Sequence, residues 1–591
     1  MSEITLTING KEATGQQGDT ILAVCERAGI DLPTLCHLKG VHDIGTCRMC
    51  IVELADSRVV TACTTPAEPG MAVTTESDRL TAIRRSTLEL LFAERNHYCM
   101  FCAASGDCEL QDLAYRLGMD HVRYPSLFPR MEADTSHEHK VFDQNRCILC
   151  RRCLRACSEL VANHTLGIRE RGIGSILTVD GSEAFADSTC VSCGTCVQVC
   201  PTGALFDKRS AYRGRKEDCT LVSSTCPECS LGCQVELVAR SGQVLRVDAT
   251  VSPEDGTGLL CKKGRYESLG DARERVRTPL ARENGALQPV SWDEAIALAR
   301  EGLAKALETH GASSVLGVAS ARLNTEALAA LRSYAETALA PTNAVALGAQ
   351  GIFDRTPDAT MPDILAADLI ILAGENATAD HEVAGFLVNR AVEQNDTPLV
   401  LIGTATKRLV RRARVHLPVE GAALAEALRT LGQAGNPAAP LLTAAQRPLF
   451  LLCPPASEIV LKEVAAGAEA GWPRVLRLGE KANSRGAAAA GLPANGVDWR
   501  AAKAILCLAG DDPGLSLEAL GRMDGQLFLV VHSAYRTPLT ERADVVLPAP
   551  AWFEKNGTMI NAQGQEVHLR AAIEPPPGAR DESEVLMALS S

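Results

Sequence analysis

The chain has 591 residues, too many for one hydrophobic core, and 46% of them are apolar, so several folded domains are expected. A formal charge of −13 argues against a nucleic-acid partner, and the sequence shows neither a secretory leader nor an apolar run of membrane-spanning length. A cytoplasmic protein is therefore expected, held to a membrane face, if at all, by other subunits.

SEITLTINGKEAT alternates apolar and polar residues about Asn9-Gly10, which predicts a β-hairpin. TILAVCERAGI follows as a short amphipathic helix, with Cys25 on its apolar face beside Ile21, Leu22 and Ala28. Of 23 cysteines, all but Cys453 and Cys507 lie before residue 262, mostly with two or three residues between neighbours. In a reducing cytosol that spacing reads as ligation, not as disulfides. Cys36, Cys47, Cys50 and Cys63 come first, as C-x10-C-x2-C-x12-C in glycine-bearing loops. Four such thiolates suit a [2Fe–2S] cluster or a structural zinc ion.

NHYCMFCAASGDC sets His97 beside Cys99, Cys102 and Cys108. Three cysteines leave one ligand position to fill, and a neutral imidazole can fill it. CILCRRCLRAC (Cys147, Cys150, Cys153, Cys157) and CVSCGTCVQVCP (Cys190, Cys193, Cys196, Cys200) both read C-x2-C-x2-C-x3-C. The first run is followed by Ser158 where the second has Pro201. A fifth set, Cys226, Cys229, Cys233 and Cys261, reads C-x2-C-x3-C-x27-C. Cys25, Cys453 and Cys507 read as buried small hydrophobes, and Cys219 as structural.

From about Leu269 alanine, leucine and glycine dominate. SWDEAIALAREGLAKALETHG predicts a helix with Ser291 as N-cap, Glu294 completing a capping box and Gly311 as the stop. DLIILAG, EVAGFLVNRAVEQN and PLVLIG predict a β-α-β unit, and RPLFLLC, AKAILCLAG and GQLFLVVHS further buried strands. Strands alternating with helices imply an α/β region with parallel sheets. Residues 430–446 read as a linker between two lobes. ERGIGSIL (Glu170–Leu177) lacks a third glycine and lies outside a β-α-β unit, so no flavin or NAD site is expected in this chain.

These motifs carry a resemblance. The hairpin, helix and first four cysteines resemble a [2Fe–2S] ferredoxin domain. Their long first gap is similar to that of the large, G-type iron–sulfur subunit of bacterial NADH:quinone oxidoreductase, complex I. His97 with Cys99, Cys102 and Cys108 resembles the His-plus-three-cysteine [4Fe–4S] site of that family, although many members place the histidine four residues before the first cysteine. The compact form here is similar to the diaphorase iron–sulfur subunits of NAD-reducing hydrogenases. The paired runs resemble bacterial two-cluster ferredoxins, in which the fourth cysteine of each run serves the other cluster. That resemblance implies one [4Fe–4S] cluster on Cys147, Cys150, Cys153 and Cys200 and a second on Cys190, Cys193, Cys196 and Cys157. CKKGRY, RTPLARENGALQPVSWDEA, ADVVLPAPAWFEKNGTMINAQGQ and EPPPGARDE resemble the molybdopterin oxidoreductases, best the pterin-free version in complex I.

The implied fold is a set of α+β ferredoxin-type iron–sulfur domains at the N-terminus followed by a truncated α/β molybdopterin-oxidoreductase-like domain. Its expected divisions are a [2Fe–2S] domain over 1–80, the His/Cys3 domain over 81–122 and the two-[4Fe–4S] domain over 138–210. The fifth cluster heads 219–275, and the α/β region spans 276–591. Catalytic relatives carry a cysteine or selenocysteine metal ligand near the stretch equivalent to Asn343–Pro357, which here holds no cysteine, serine or histidine, and they continue beyond the point equivalent to EPPPGARDE. Molybdopterin is therefore not expected, although Lys263 matches the lysine that such enzymes place between cluster and pterin. The resemblance implies an electron-transfer subunit with one [2Fe–2S] and four [4Fe–4S] clusters and no catalytic residue of its own. Its implied partners are an FMN-bearing NADH-binding flavoprotein, a small [2Fe–2S] subunit and a downstream redox module. The alternatives are the catalytic subunit of an NAD-dependent formate dehydrogenase-like molybdenum or tungsten enzyme, and a free-standing multi-cluster carrier.

Overall fold

The computed structural model describes residues 2–181, 184–250, 258–269, 272–349, 359–454, 474–494, 497–515 and 527–590. They pack as two units, Met1–Thr220 with Thr250–Lys262, and Leu221–Ala249 with Lys263–Ser591.

In the first unit Asn9 and Gly10 adopt left-handed φ values of 51° and 76°, the backbone of a type I′ turn. The turn joins Glu3–Ile8 to Lys11–Gln16 in antiparallel register. Ala72–Thr74, Ile51–Leu54 and Val59–Thr61 extend the pair into a five-stranded sheet. Ile4, Leu6 and Ile8 alternate inward to meet Ile21, Leu22, Val24 and Cys25 of the helix Ile21–Arg27. Each such side chain, once buried, contributes roughly 1.5–3 kcal/mol. Burial pushes the Cys25 thiol up to about 11, so it packs as an inert hydrophobe.

The helix Asp78–Glu94, capped by Ser77, leads from this sheet towards His97. Further on, Lys140–Phe142 pairs antiparallel with Leu205–Asp207, and Leu166–Arg169 with Ile176–Val179. The two cysteine runs lie between these ribbons, each passing into a short helix, Arg152–Arg155 and Thr195–Gln198. Phe142, Leu166, Leu177, Val179, Phe185 and Leu205 form their common core with Cys153 and Cys196.

The second unit is doubly wound. Val315–Ser320 sits between Ala344–Leu347 and Ala504–Gly510, followed by Phe528–Ser533 and Val545–Pro548, all parallel. The antiparallel pair Leu280–Glu283 and Ala286–Pro289 closes one edge. Helices Trp292–His310, Thr325–Ala338 and Glu582–Ser590 cover one face. The first of these begins in the predicted capping box of Ser291 and Glu294 and stops at Gly311, φ 83°. A second, all-parallel sheet runs Val415–Leu417, Leu399–Ala405, Leu369–Ala377, Pro448–Leu452, Arg474–Arg477.

Residues 430–446 are not a linker between lobes. They join two strands of the same sheet, bury Leu431 and Ala438 in its core and form the helix Ala439–Ala444. Their Gly, Pro and Ala content suggested a loop; the pull of the sheet face on the leucines won.

Among the described residues no helix is long and apolar enough to cross a membrane.

Candidate metal centres

Cys36, Cys47, Cys50 and Cys63 are all buried. Their side chains hydrogen-bond to one another, Cys36 with Cys47 and Cys63, and Cys50 with Cys63. Those bonds draw the Cys36 thiol far down and Cys50 down to about 7, and push Cys47 and Cys63 up. Thiols this close share protons that a bound metal displaces. The loop is braced by buried arginines. Arg84 donates to the carbonyls of Met49 at 3.1 Å and Ile51 at 2.6 Å. Arg155, on the helix after Cys153, donates to the carbonyls of Cys36 and His42.

His97, Cys99, Cys102 and Cys108 line one void of about 260 Å³. His97 is half-buried, and desolvation of its ring, then Arg146 and Arg95, lowers its pKa to about 4, so it is neutral. One ring nitrogen bonds the Leu91 backbone, while Nε2 is buried with no hydrogen-bond partner. A ring tethered through Nδ1 presents a bare Nε2 lone pair, the state of a metal-ligating histidine. Gly203 also lines this void, and a Cβ there would collide with Cys102 Sγ.

Cys147, Cys150, Cys153 and Cys200 line a second void of about 390 Å³. Cys157, Cys190, Cys193 and Cys196 line a third of about 320 Å³. The fourth cysteine of each run thus stands at the other run's void. The two runs wrap alike: Leu149 and Ser192 take φ 52° and 56°, Arg151 and Gly194 take 58° and 71°. The wrapping turns Leu149 N–H onto Cys147 Sγ and Ser192 N–H onto Cys190 Sγ, both at 3.4 Å. Only glycine adopts this backbone without strain, so Leu149 and Arg151 each cost about 1–2 kcal/mol. Burial pushes the thiols of Cys147 and Cys157 up to about 11 and Cys196 to about 12. Without a metal such groups keep their protons.

The loop bearing Cys226, Cys229 and Cys233 belongs to the second unit, and Cys261 to the first. Cys226 N–H donates to the Cys233 carbonyl at 2.9 Å. Between the cysteines, the buried guanidinium of Arg322 donates to the Pro227 carbonyl at 2.7 Å and to Glu228 Oε1 at 3.0 Å while gripping Asp511 at 3.1 Å. Ser230 Oγ accepts from Gly479 N–H at 2.8 Å and lies 3.1 Å from His381 Nε2. Lys263 Nζ pairs with Asp380 Oδ1 at 2.7 Å. Of the Asn343–Pro357 stretch, residues 350–357 lie outside the described residues.

Among the described residues no three His, Cys, Asp or Glu side chains converge on a point as a single ion requires. The thiols of three of the sets instead ring voids, and soft thiolates with one bare imidazole around a void fit an iron–sulfur cluster better than zinc.

Residues 1–78 match a 2Fe-2S iron-sulfur cluster binding domain, and 146–204 a 4Fe-4S dicluster domain. Residues 219–267 match the molybdopterin oxidoreductase Fe4S4 domain, and 275–435 with 460–591 the molybdopterin oxidoreductase domain itself. The His97 segment, 84–123, matches the NADH-ubiquinone oxidoreductase-G iron-sulfur binding region. The second G-type subunit of the NADH-quinone oxidoreductase of Rhizobium meliloti is 28% identical over 98% of this chain and 78% of its own length. Over nearly its whole length the chain is thus similar to the large, G-type iron–sulfur subunits of NADH-quinone oxidoreductase. NADH-quinone oxidoreductase subunit 3 of Thermus thermophilus is 27% identical over 96% of this chain and 80% of that relative. NADPH-Fe(3+) oxidoreductase subunit alpha of Geobacter sulfurreducens is 33% identical over 70% of this chain, but the match spans only 50% of that relative.

In this chain the sequence did not point to four residues that shape the sites. Arg84 and Arg155 hold carbonyls, Gly203 makes room, and Lys140 enters the third void. Gly203 had a faint signal, lying three residues past Cys200. The others look like ordinary surface charges in the sequence.

Proposed function

We propose that this chain passes electrons between an FMN-bearing NAD(P)H dehydrogenase subunit and a downstream acceptor. Cys36, Cys47, Cys50 and Cys63 hold a [2Fe–2S] cluster. His97 with Cys99, Cys102 and Cys108 holds a [4Fe–4S] cluster, and the crossed runs hold two more. Cys226, Cys229, Cys233 and Cys261 hold a fourth [4Fe–4S] cluster. Such clusters take up and release single electrons and make no bonds to substrate.

The adjacency of the sites in the first unit carries this reading. Thr202 lines both the His97 void and the Cys147 void. Cys36 and Cys47 share one apolar cluster with Cys150, and Cys153 shares another with Cys196. The four sites are thus linked by apolar packing and shared walls, as a relay between a two-electron donor and a distant acceptor needs. The protein's part is to keep water out and to fix each thiolate. The second unit serves as a structural and docking platform, and the Lys263–Asp380 pair occupies the ammonium that a pterin enzyme turns to its cofactor. A small [2Fe–2S] subunit completes the input module, on the cytoplasmic side.

Metal analysis and partner isolation test this. The chain purified from its host is expected to carry about 18 iron atoms, neither molybdenum nor tungsten, and to bring a flavoprotein with it. NADH or NADPH should bleach its cluster absorbance only when that partner is present. Stoichiometric molybdenum or tungsten with reduction by formate would overturn the reading in favour of the pterin enzyme. Elution alone, with electrons accepted only from soluble ferredoxin, would make it a free-standing carrier.

A further inference from the structure

Lys140 is only 1% exposed and ranks among the largest fully buried side chains of the chain. It opens the strand Lys140–Phe142, whose register with Leu205–Asp207 fixes its place beside the second run. Its Nζ lies 3.1 Å from Cys190 Sγ and 3.7 Å from Cys196 Sγ. It also stands 4.4 Å over the Phe185 ring, whose face favours a cation. All four groups line the void ringed by Cys157, Cys190, Cys193 and Cys196.

The sister void differs. Phe142, Ile148, Leu149, Ile168, Leu177 and Leu205 supply its apolar wall, and its one basic lining residue, Arg151, is exposed. Two sites with the same cysteine spacing, the same left-handed turns and the same N–H···S bonds therefore differ in how a cation meets them. At one a buried ammonium reaches two sulfurs, while at the other the buried guanidiniums of Arg95 and Arg152 act on Cys147 and Cys150 through space and give their hydrogen bonds elsewhere.

We propose that Lys140 sets the reduction potential of the cluster on Cys157, Cys190, Cys193 and Cys196, holding it above that of its sister; this rests on the cluster reading of the site. A cluster gains one negative charge when it takes an electron. A positive charge within hydrogen-bond reach of two ligating sulfurs stabilises the reduced form more than the oxidised one. In a water-poor interior that preference is weakly screened. Lys140 is thus a positioning residue: it touches the ligands and makes this site the lower-lying place for an electron within the pair.

The test is a potentiometric titration of the whole chain with its clusters in place, with dithionite as reductant, dye mediators and paramagnetic resonance as the readout. Cys193→Ser keeps an oxygen ligand in place of the sulfur, and the signal it shifts without loss of iron is the one that belongs to the site. At the potential that half-reduces this cluster in the native chain, Lys140→Met should leave it at least tenfold less reduced, a downward shift of 59 mV or more for a one-electron couple. The other signals should hold still, and Lys140→Arg should stay close to native. Unchanged potentials in Lys140→Met at native iron content would overturn the proposal, as would a uniform shift of every signal. Should Lys140→Met not load the site, Lys140→Gln is titrated in its place. Failure of both neutral variants to load while Lys140→Arg loads would also overturn it, because Lys140 would then build the site and not tune it. Absence of four-iron signals from the native chain would sink the cluster reading itself, before any variant is compared.

Discussion

His97 shows how a side chain is prepared for a ligand. Desolvation strips its proton, the Leu91 backbone holds one ring nitrogen, and the other is left buried and bare. Replacing it by alanine should cost the chain about four iron atoms, while His97→Cys should keep the cluster but lower its potential, because a thiolate adds a negative charge where the imidazole has none. Iron analysis with a redox titration checks both; full iron content in His97→Ala would remove the histidine from the ligand set. The spacing of His97, Cys99, Cys102 and Cys108 was visible in the sequence because ligation demands particular residue types close together. Lys140, Arg84 and Arg155 were not visible. Each acts across more than 30 residues of chain, and a lone basic residue is ordinarily a solvated one.

At the scale of elements, local chemistry was well read where caps and turns decide the outcome. Asn9-Gly10 and the Ser291–Glu294 box specify their own backbone. The helix within 430–446 was missed because its leucines depend on a sheet that sequence neighbours cannot reveal. The helix Glu582–Ser590 is a further case of distant dependence. Its first residue, Glu582, is buried and bound to Lys555 Nζ at 3.0 Å and 3.3 Å. Burial alone would raise the Glu582 carboxyl, but the charges of Lys555 and His532 bring it below its usual 4.5. Burial would lower Lys555, but Glu582 and Asp511 lift it above 10.5. The carboxylate's share of stability is therefore complete above 4.5 and is lost as pH falls through its lowered value. The ammonium's share is complete below 10.5 and is lost as pH rises through its raised value. Glu582→Gln leaves a buried ammonium short of its partner and should cost about 3–5 kcal/mol. Denaturant titration at neutral pH measures this, and the variant should also lose Glu582's share of the acid limb while that of Asp511 and Asp512 remains; a cost under about 1 kcal/mol would mean the pair is no better than a surface one.

For the whole molecule, two units with separate cores predict two melting transitions. The first unit keeps four cysteine-lined sites in or beside its cores, so its transition should fall steeply when a chelator removes iron. The second rests on two doubly wound sheets and should move much less. Calorimetry with and without chelator decides; equal shifts in both transitions would mean that iron stabilises the chain as one body.

The crossed placement of Cys157 and Cys200 bears on how such a molecule is made. Filling either site fixes a residue that the other needs, so the second filling starts with one ligand already delivered and loses less entropy in gathering the rest. Half-filled chains should therefore be scarce during biogenesis, and damage to a single thiol at the crossing should empty two sites together. The ferredoxin pair behaves as one inheritance unit: whatever machinery supplies iron and sulfide meets a substrate that is either finished or bare, which gives quality control a clean difference to act on.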